Sequence, residues 1–167
     1  PAFGRAGIGP RDSSQLTRKR FGELVIADSG RLLGVDYGEA RIGLAVSDPT
    51  GTIATPIEAV KATGQNDAAN IARVATECEA QGIIVGLPLS LDGSQGPAAR
   101  KINAFCARLR KFTDLPVITC DERMTTVEAH SLLREAGKSP SKARGAERGK
   151  IDSASAAIIL DSYMQSL

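Results

Sequence analysis

The sequence has no tryptophan, two tyrosines and four phenylalanines, an aromatic share of 4%. Base-stacking platforms are therefore scarce, which speaks against a module that reads single-stranded bases. Cysteines number three, Cys78, Cys106 and Cys120, with no CxxC pair. That excludes a disulfide framework and a zinc knuckle, and it fits a reduced compartment. Cys78 and Cys106 fall on apolar helix faces and read as core. Long hydrophobic runs are missing too: a stretch such as Ala156-Ala157-Ile158-Ile159-Leu160 is far short of the ~20 residues that cross a bilayer. The first twenty residues lack a signal-peptide apolar region, so the expected location is the cytoplasm, with no membrane partner. The one histidine, His130, sits in a helical pattern and reads as a surface or packing residue.

What is present suits a single folded unit. A chain of 167 residues with 42% hydrophobic and 24% charged residues can bury one core, and global disorder is excluded by composition. The net charge of +2 hides an uneven distribution. Residues 1–20 carry +4 and residues 138–150 carry another +4, which leaves −6 on the remainder. Two basic, structure-poor segments flanking an acidic body are the pattern of arms that hold a polyanion over a carboxylate site. A solvated tail and a solubilising loop are the plainer alternative. Residues 1–30 are expected to form a flexible basic extension and lead-in, and residues 31–167 the domain proper.

Hydrophobic patterning predicts the elements. Leu32 to Asp36 and Ile42 to Asp48 read as a hairpin around Gly38, and a third strand falls near Ala54 to Val60. Ile71, Val74, Ala75 and Cys78 repeat at helical spacing after a possible cap at Asp67, and Gly82 is expected to break that helix. Ile83 to Gly86 is apolar on both faces, as a buried central strand would be. Pro97 opens a helix with Ile102, Phe105, Cys106, Leu109 and Phe112 on one face, while Arg100, Lys101, Arg108, Arg110 and Lys111 decorate the other. Val117 to Cys120 is a fifth strand. Thr125 to Glu128 forms a capping box for a helix ending at Gly137, and Ile151 to Met164 is a last Ala-rich helix. The order implies an α/β layer fold in which three antiparallel strands are continued by strands joined through helical crossovers.

Carboxylates fall at telling positions. Asp36 ends the first strand of the hairpin, Asp121 and Glu122 end the fifth strand, and Asp152 opens the last helix, so all of them can meet at one rim of the sheet. Acids gathered in that way stay ionised only beside a cation, and a hard divalent ion, Mg²⁺ or Mn²⁺, prefers their oxygens. Taken singly, each could instead serve a turn or a cap, Asp152 above all. Arg41 and Arg123 are candidates for contacting phosphate, because a guanidinium fork matches phosphate oxygens, with a surface ion pair as the alternative. Thr125 and Thr126 can contact a phosphate or simply cap their helix. Gly93, Ser94 and Gly96, ahead of a helix, can offer backbone N–H groups to a phosphate. In the basic loop, Lys142, Arg144, Arg148 and Lys150 are expected to clamp the backbone of a nucleic acid.

Four blocks then resemble one family. Gly34-Val35-Asp36-Tyr37-Gly38 followed by Arg41-Ile42-Gly43-Leu44-Ala45-Val46-Ser47-Asp48 is similar to the opening signature of the YqgF/RuvX family of RNase H-like nucleases. Val85 to Ser94 resembles that family's glycine-proline loop, Asp121-Glu122-Arg123-Met124-Thr125-Thr126 its DERxTT motif, and Lys150 to Ala157 its terminal acidic helix. The resemblance spans residues 31–165. It implies an RNase H-like fold with a five-stranded mixed sheet. It further implies a metal-dependent endonuclease that hydrolyses phosphodiesters in structured RNA, at the 5′ end of pre-16S rRNA, with resolution of Holliday junctions in branched DNA as the alternative. A non-catalytic ribosome-assembly or nucleic-acid-binding module is a further alternative. Carried over by the resemblance, the metal ligands are Asp36, Glu122 and Asp152, with Asp121 a close second, and the acid that related junction resolvases carry after their fourth strand is missing from Val85-Gly86-Leu87-Pro88. Two ions roughly 4 Å apart would acidify a water and neutralise the leaving oxygen. Asp36-Tyr37-Gly38 also resembles the phosphate-binding turn of actin-like ATPases and sugar kinases, but those folds duplicate the domain, and 167 residues hold one. With no obvious large apolar patch outside the core elements, a monomer or weak homodimer is expected.

Overall fold

The computed structural model describes residues 18–21, 24–27, 30–90, 92–122 and 146–167. The main sheet is built from β3 (Arg31–Tyr37), β4 (Arg41–Ser47), β5 (Ala54–Lys61), β6 (Ala80–Leu87) and β7 (Val117–Asp121) in the order β5-β4-β3-β6-β7. Strands β3, β4 and β5 are antiparallel neighbours, and β6 and β7 add in parallel. This is the five-stranded mixed sheet of an RNase H-like fold, as the resemblance implies. A separate two-stranded sheet pairs β1 (Arg18–Phe21) with β2 (Leu24–Ala27). Residues 18–20, read from composition as part of a structureless extension, thus stand in a strand opposite Val25-Ile26-Ala27.

Both faces of the main sheet are covered, which is why β3 and β6 read as almost continuous apolar runs. On one face Leu33, Val35, Ile42, Leu44, Ile83 and Val85 pack against α1 (Asp67–Glu77) and α2 (Pro97–Leu109), which contribute Ile71, Phe105 and Leu109. On the other, Leu32, Ala45, Ile84 and Cys120 meet Ala156, Ile159, Leu160 and Tyr163 of α3 (Ala146–Gln165). Cys106 and Cys120 are both buried and unbridged. Among the described residues no helix is long and apolar enough to cross a membrane.

Glycines decide how closely α3 approaches. Gly34, Gly43 and Gly86 lie on the α3 face of three adjacent strands. A Cβ on Gly43 would overlap the backbone carbonyl of Asp152 and come within 3.0 Å of the Ser153 nitrogen. One on Gly34 would lie 2.8 Å from the Ala156 carbonyl oxygen and from Leu160 Cβ. The helix therefore rests on bare strand backbone, and that contact fixes its height over the sheet.

Four boundaries differ from those expected. Helix α1 stops at Glu77, and the reversal into β6 is made by Glu79 in the left-handed region at φ 55°, so Gly82 is a strand residue. Asp67 is the first residue of α1 and the cap position belongs to Asn66. Helix α2 ends at Leu109, leaving Phe112 exposed beyond the apolar face assigned to it. Finally α3 begins at Ala146, not Ile151, so the last five residues of the supposed structure-poor basic loop are helical. Ala146 and Glu147 are good helix formers, and charge alone does not reveal that. The helix expected over residues 125–136, with His130, lies outside the described residues.

Candidate active site

The carboxyl ends of β3, β6 and β7 open into a cleft of about 500 Å³. Asp36, Tyr37 and Glu39 line one side, Pro97, Ala98 and Lys101 of the first turns of α2 another, and Glu122 enters from the end of β7. Strand pleating explains why the acids meet. Asp36 pairs with Gly43, and it stands one step beyond the Val35–Val85 pair, next to Gly86. Both neighbours lack side chains, so the space beside Asp36 is left to groups from other elements. Glu122 occupies part of it: a Cβ on Gly86 would come within 2.7 Å of Glu122 Oε1 and 2.6 Å of Ile159 Cδ1. Asp152 arrives from above, its backbone resting on Gly43.

Electrostatics report the same convergence. Burial, then the charge of Glu122, then that of Asp152 push the Asp36 carboxyl from 3.8 up to about 7. Glu122 is raised as well, by burial and then by the neighbouring Asp121. Like charges brought together in a partly dry rim hold protons unless a cation replaces them. The acids that act on Asp36 are thus Glu122 and Asp152. Asp121 ends β7 opposite Leu87, on the alternate phase of the pleat, and acts on Glu122. The N-cap alternative for Asp152 falls away, because the residue stands well inside α3, more than a turn past Ala146.

The fit to a hard divalent cation rests on donor chemistry. All three groups offer carboxylate oxygens, and the raised Asp36 marks a place where positive charge is wanting. Among the described residues no three His, Cys, Asp or Glu side chains already stand as a closed ligand group. An ion held here would draw Asp36, Glu122 and Asp152 together and complete its shell with water and substrate oxygens, as Mg²⁺ commonly does.

Sequence reasoning missed two features. Tyr37 turns to the opposite face from Asp36, stacks on Phe105 at a centroid distance of 4.2 Å, and donates a 2.9 Å hydrogen bond to Asp67. Asp67 is fully buried and also accepts from Thr63 N (2.7 Å), Thr63 Oγ1 (2.9 Å) and Gly64 N (2.9 Å). Burial raises its carboxyl, but these hydrogen bonds outweigh burial and hold it below the ordinary value. The loop ahead of α1 is thereby tied to the residue next to Asp36. Tyr37→Phe should cost about 1–2 kcal/mol of stability at neutral pH. The carboxyl is depressed in the fold, so that cost should shrink as acid protonates Asp67, which chemical denaturation at pH 7 and pH 3 would reveal. The second missed feature is Lys101. Read as part of a solvated helix face, it lines the cleft instead.

The other candidates are distributed more widely. Arg41 and Lys150 line a second pocket of about 550 Å³ with Pro56, Glu58 and Ser153, apart from the acid-lined cleft. Gly149 leaves room for Arg41, since a Cβ there would stand 3.3 Å from Nη1. The glycine-proline loop is less open to a ligand than expected: the Gly93 N–H donates to Ser90 O (2.8 Å) and the Ser94 N–H to Asp92 Oδ1 (2.9 Å), so two of the three amides offered to phosphate are engaged within the turn. Asp48, the last residue of the opening motif, folds its carboxylate over the following turn and accepts from the N–H groups of Thr50, Thr52 and Ile53, a structural role. Arg123, Thr125, Thr126, Lys142 and Arg144 lie outside the described residues, as does the side chain of Arg148.

Comparison with known proteins places these features in a family. The sequence model of the RuvX family, described as "Holliday junction resolvase", matches residues 30–166. A protein of Nocardioides sp. named "Putative pre-16S rRNA nuclease" is 44% identical over 138 residues, covering 79% of this chain and 85% of its own. Proteins of the same name from Anaeromyxobacter sp. and Rhodococcus jostii are 43% and 46% identical, covering 80% and 81% of this chain and 96% and 77% of theirs. Among solved structures, T. thermophilus RuvC in complex with a Holliday junction substrate overlaps with a TM-score of 0.49 at 16% identity, covering 82% of this chain and 96% of that one. With a family model matching most of its length and relatives this similar, the chain belongs to the RuvX family of nucleases.

Proposed function

We propose that this protein is a divalent-metal-dependent endonuclease that hydrolyses phosphodiesters in structured RNA, and that its substrate is the 5′ end of pre-16S rRNA. The observation that carries the reading is the coupling of Asp36 to Glu122 and Asp152, which leaves the Asp36 carboxyl near 7 at the open rim of the sheet. Asp36, Glu122 and Asp152 would hold Mg²⁺ or Mn²⁺. When bound, such an ion supplies Lewis acidity toward the scissile phosphate and its attacking water. The chain's own part is to bring three carboxylates to one rim of the sheet. Asp36 sheds its proton as positive charge enters, Glu122 leans over Gly86, and Asp152 is held down by the contact of α3 with Gly43. Arg41, Lys150 and, outside the described residues, Arg123, Thr125, Thr126, Lys142 and Arg144, with Arg148, are proposed to bind the flanking backbone. The names of the curated relatives support the RNA substrate. Location in the cytoplasm and a monomeric or weakly dimeric state belong to the same proposal.

The family description favours a second reading, resolution of four-way DNA junctions. Resolution needs two coordinated cuts in strands related by a two-fold axis, whereas trimming one RNA end needs a single site. The two are separated by offering a 5′-extended 16S rRNA fragment and a synthetic four-way junction side by side in Mg²⁺ and in Mn²⁺. Faster cleavage of the RNA is expected. Paired, symmetric nicks in the junction by a tight dimer would put the resolvase first.

Glu122→Gln is expected to damage cleavage at least as much as Asp121→Asn, because Glu122 is the one coupled to Asp36. Single-turnover rates of the two variants would check this, and the reverse order would transfer the ligand role to Asp121.

A further inference from the structure

We propose that Lys101 is a substrate-binding residue that holds a phosphate next to the scissile one, and that Glu39 occupies it until substrate arrives; this rests on the nuclease reading above. Lys101 lies one turn into α2 and faces the same cleft as Asp36 and Glu122, so that acids and a cation look at each other across about 500 Å³. Its Nζ is 6.0 Å from the centre of the Tyr37 ring and 3.6 Å from Glu39 Oε1. The ring belongs to the residue after Asp36, and its own position is fixed by Phe105 and Asp67. The ammonium group is therefore carried over an immobilised aromatic face at the mouth of the cleft, a placement that limits its wandering without consuming its charge.

The carboxylate partner is different in kind. The Glu39 side chain is 93% exposed on the hairpin turn and that of Lys101 is 50% exposed. An exposed pair at this separation is worth little and is exchanged readily for a stronger anion. A nucleic-acid strand laid with one phosphate between Asp36 and Glu122 brings its neighbouring phosphates to the walls of the cleft. Among the described residues that line the cleft, Lys101 is the cation. A phosphate oxygen would take the place of the Glu39 carboxylate, and the repulsion between Glu39 and the incoming backbone would swing that exposed side chain outward. Lys101 adds affinity, and Glu39 subtracts from it.

Opposite effects on binding make the proposal testable. Binding of the 5′-extended 16S rRNA fragment is measured by fluorescence anisotropy across a salt series, in EDTA so that no cleavage intervenes, with single-turnover cleavage in Mg²⁺ run in parallel. Lys101→Met should weaken binding about tenfold and lower the slope of log K against log salt by roughly 0.7–0.9, the signature of one lost phosphate contact. Lys101→Arg should recover most of the affinity. Glu39→Gln should bind as tightly as the unaltered protein or about twofold more tightly. Wild-type affinity and slope in Lys101→Met would overturn the proposal. So would weaker binding by Glu39→Gln, since an ion pair needed only to hold α2 against the hairpin suffers equally from the loss of either partner. Failure of the nuclease reading is visible separately, as a wild-type protein that neither binds nor cleaves the fragment.

Discussion

Asp36→Asn should reduce metal-dependent cleavage to background while raising the melting temperature of the metal-free protein above pH 7. The two effects share one cause. In the folded chain Asp36 keeps its proton up to about 7, first because it is buried and then because Glu122 and Asp152 repel its charge. The unfolded chain releases that proton near 3.8. A folded-state carboxyl with a raised pKa binds the proton more tightly than the unfolded one does, so stability falls as pH climbs from about 4 through 7. An asparagine of the same size removes the penalty. The gain should be about 2 kcal/mol at pH 8, below what the shift alone would give because solvent reaches the rim of the cleft, and should vanish near pH 4. Thermal unfolding of both proteins at pH 4, 6 and 8 in EDTA measures it. Retained cleavage, or a stability difference that does not change with pH, would show that Asp36 is not the hub of the carboxylate group.

The second large effect is expected at a residue with no side chain. Gly43→Ala places a methyl group against the backbone carbonyl of Asp152, an atom that cannot rotate away. Either β4 or α3 must shift, at a cost of about 3 kcal/mol, and the shift lifts Asp152 from Asp36. Cleavage should therefore fall together with stability, and it should stay low under conditions where the variant is fully folded. Gly86→Ala is the informative comparison. Its methyl meets Ile159 Cδ1 and Glu122 Oε1, the ends of two side chains that can rotate, so the stability cost should be about 1 kcal/mol while Glu122 is displaced. Denaturant midpoints with rates on the same preparations separate the two glycines. Equal stability losses would mean that α3 rides loosely on the sheet.

The strands of the main sheet and the acids are legible in the sequence because their signals are local, whereas the β1–β2 pair is not. Leu32 to Asp36 and Ile83 to Gly86 are apolar runs bounded by turns, and Asp36, Glu122 and Asp152 stand inside motifs that resemble one family. What remained hidden depends on register and on contacts far apart in sequence. Nothing near Gly43 shows that it faces Asp152, because that follows from the pairing of Asp36 with Gly43 and the descent of α3 onto both. Tyr37 and Asp67 are thirty residues apart, and their hydrogen bond is visible only once α1 has packed beneath the sheet. Lys101 was hidden among Arg100, Arg108, Arg110 and Lys111, whose shared charge describes a solvated face and not which member turns into a cleft. Asp152 resembles a cap in the sequence because the apolar helical spacing begins only at Ile151. The helical residues from Ala146 onward carry basic charge and a glycine, and helix spacing is faint in so small-sided a helix.

Asp36, Glu122 and Asp152, contributed by three separate elements, are proposed to act as one cation site. Calorimetric titration of the metal-free protein with Mn²⁺ at pH 7.5, repeated with Asp36→Asn, Glu122→Gln and Asp152→Asn, tests it without reference to any substrate. Saturable binding by the unaltered protein is expected, with release of protons as Asp36 ionises and loss of most of the affinity in each of the three variants. Undiminished Mn²⁺ binding in all three variants, or none in the unaltered protein, would contradict it.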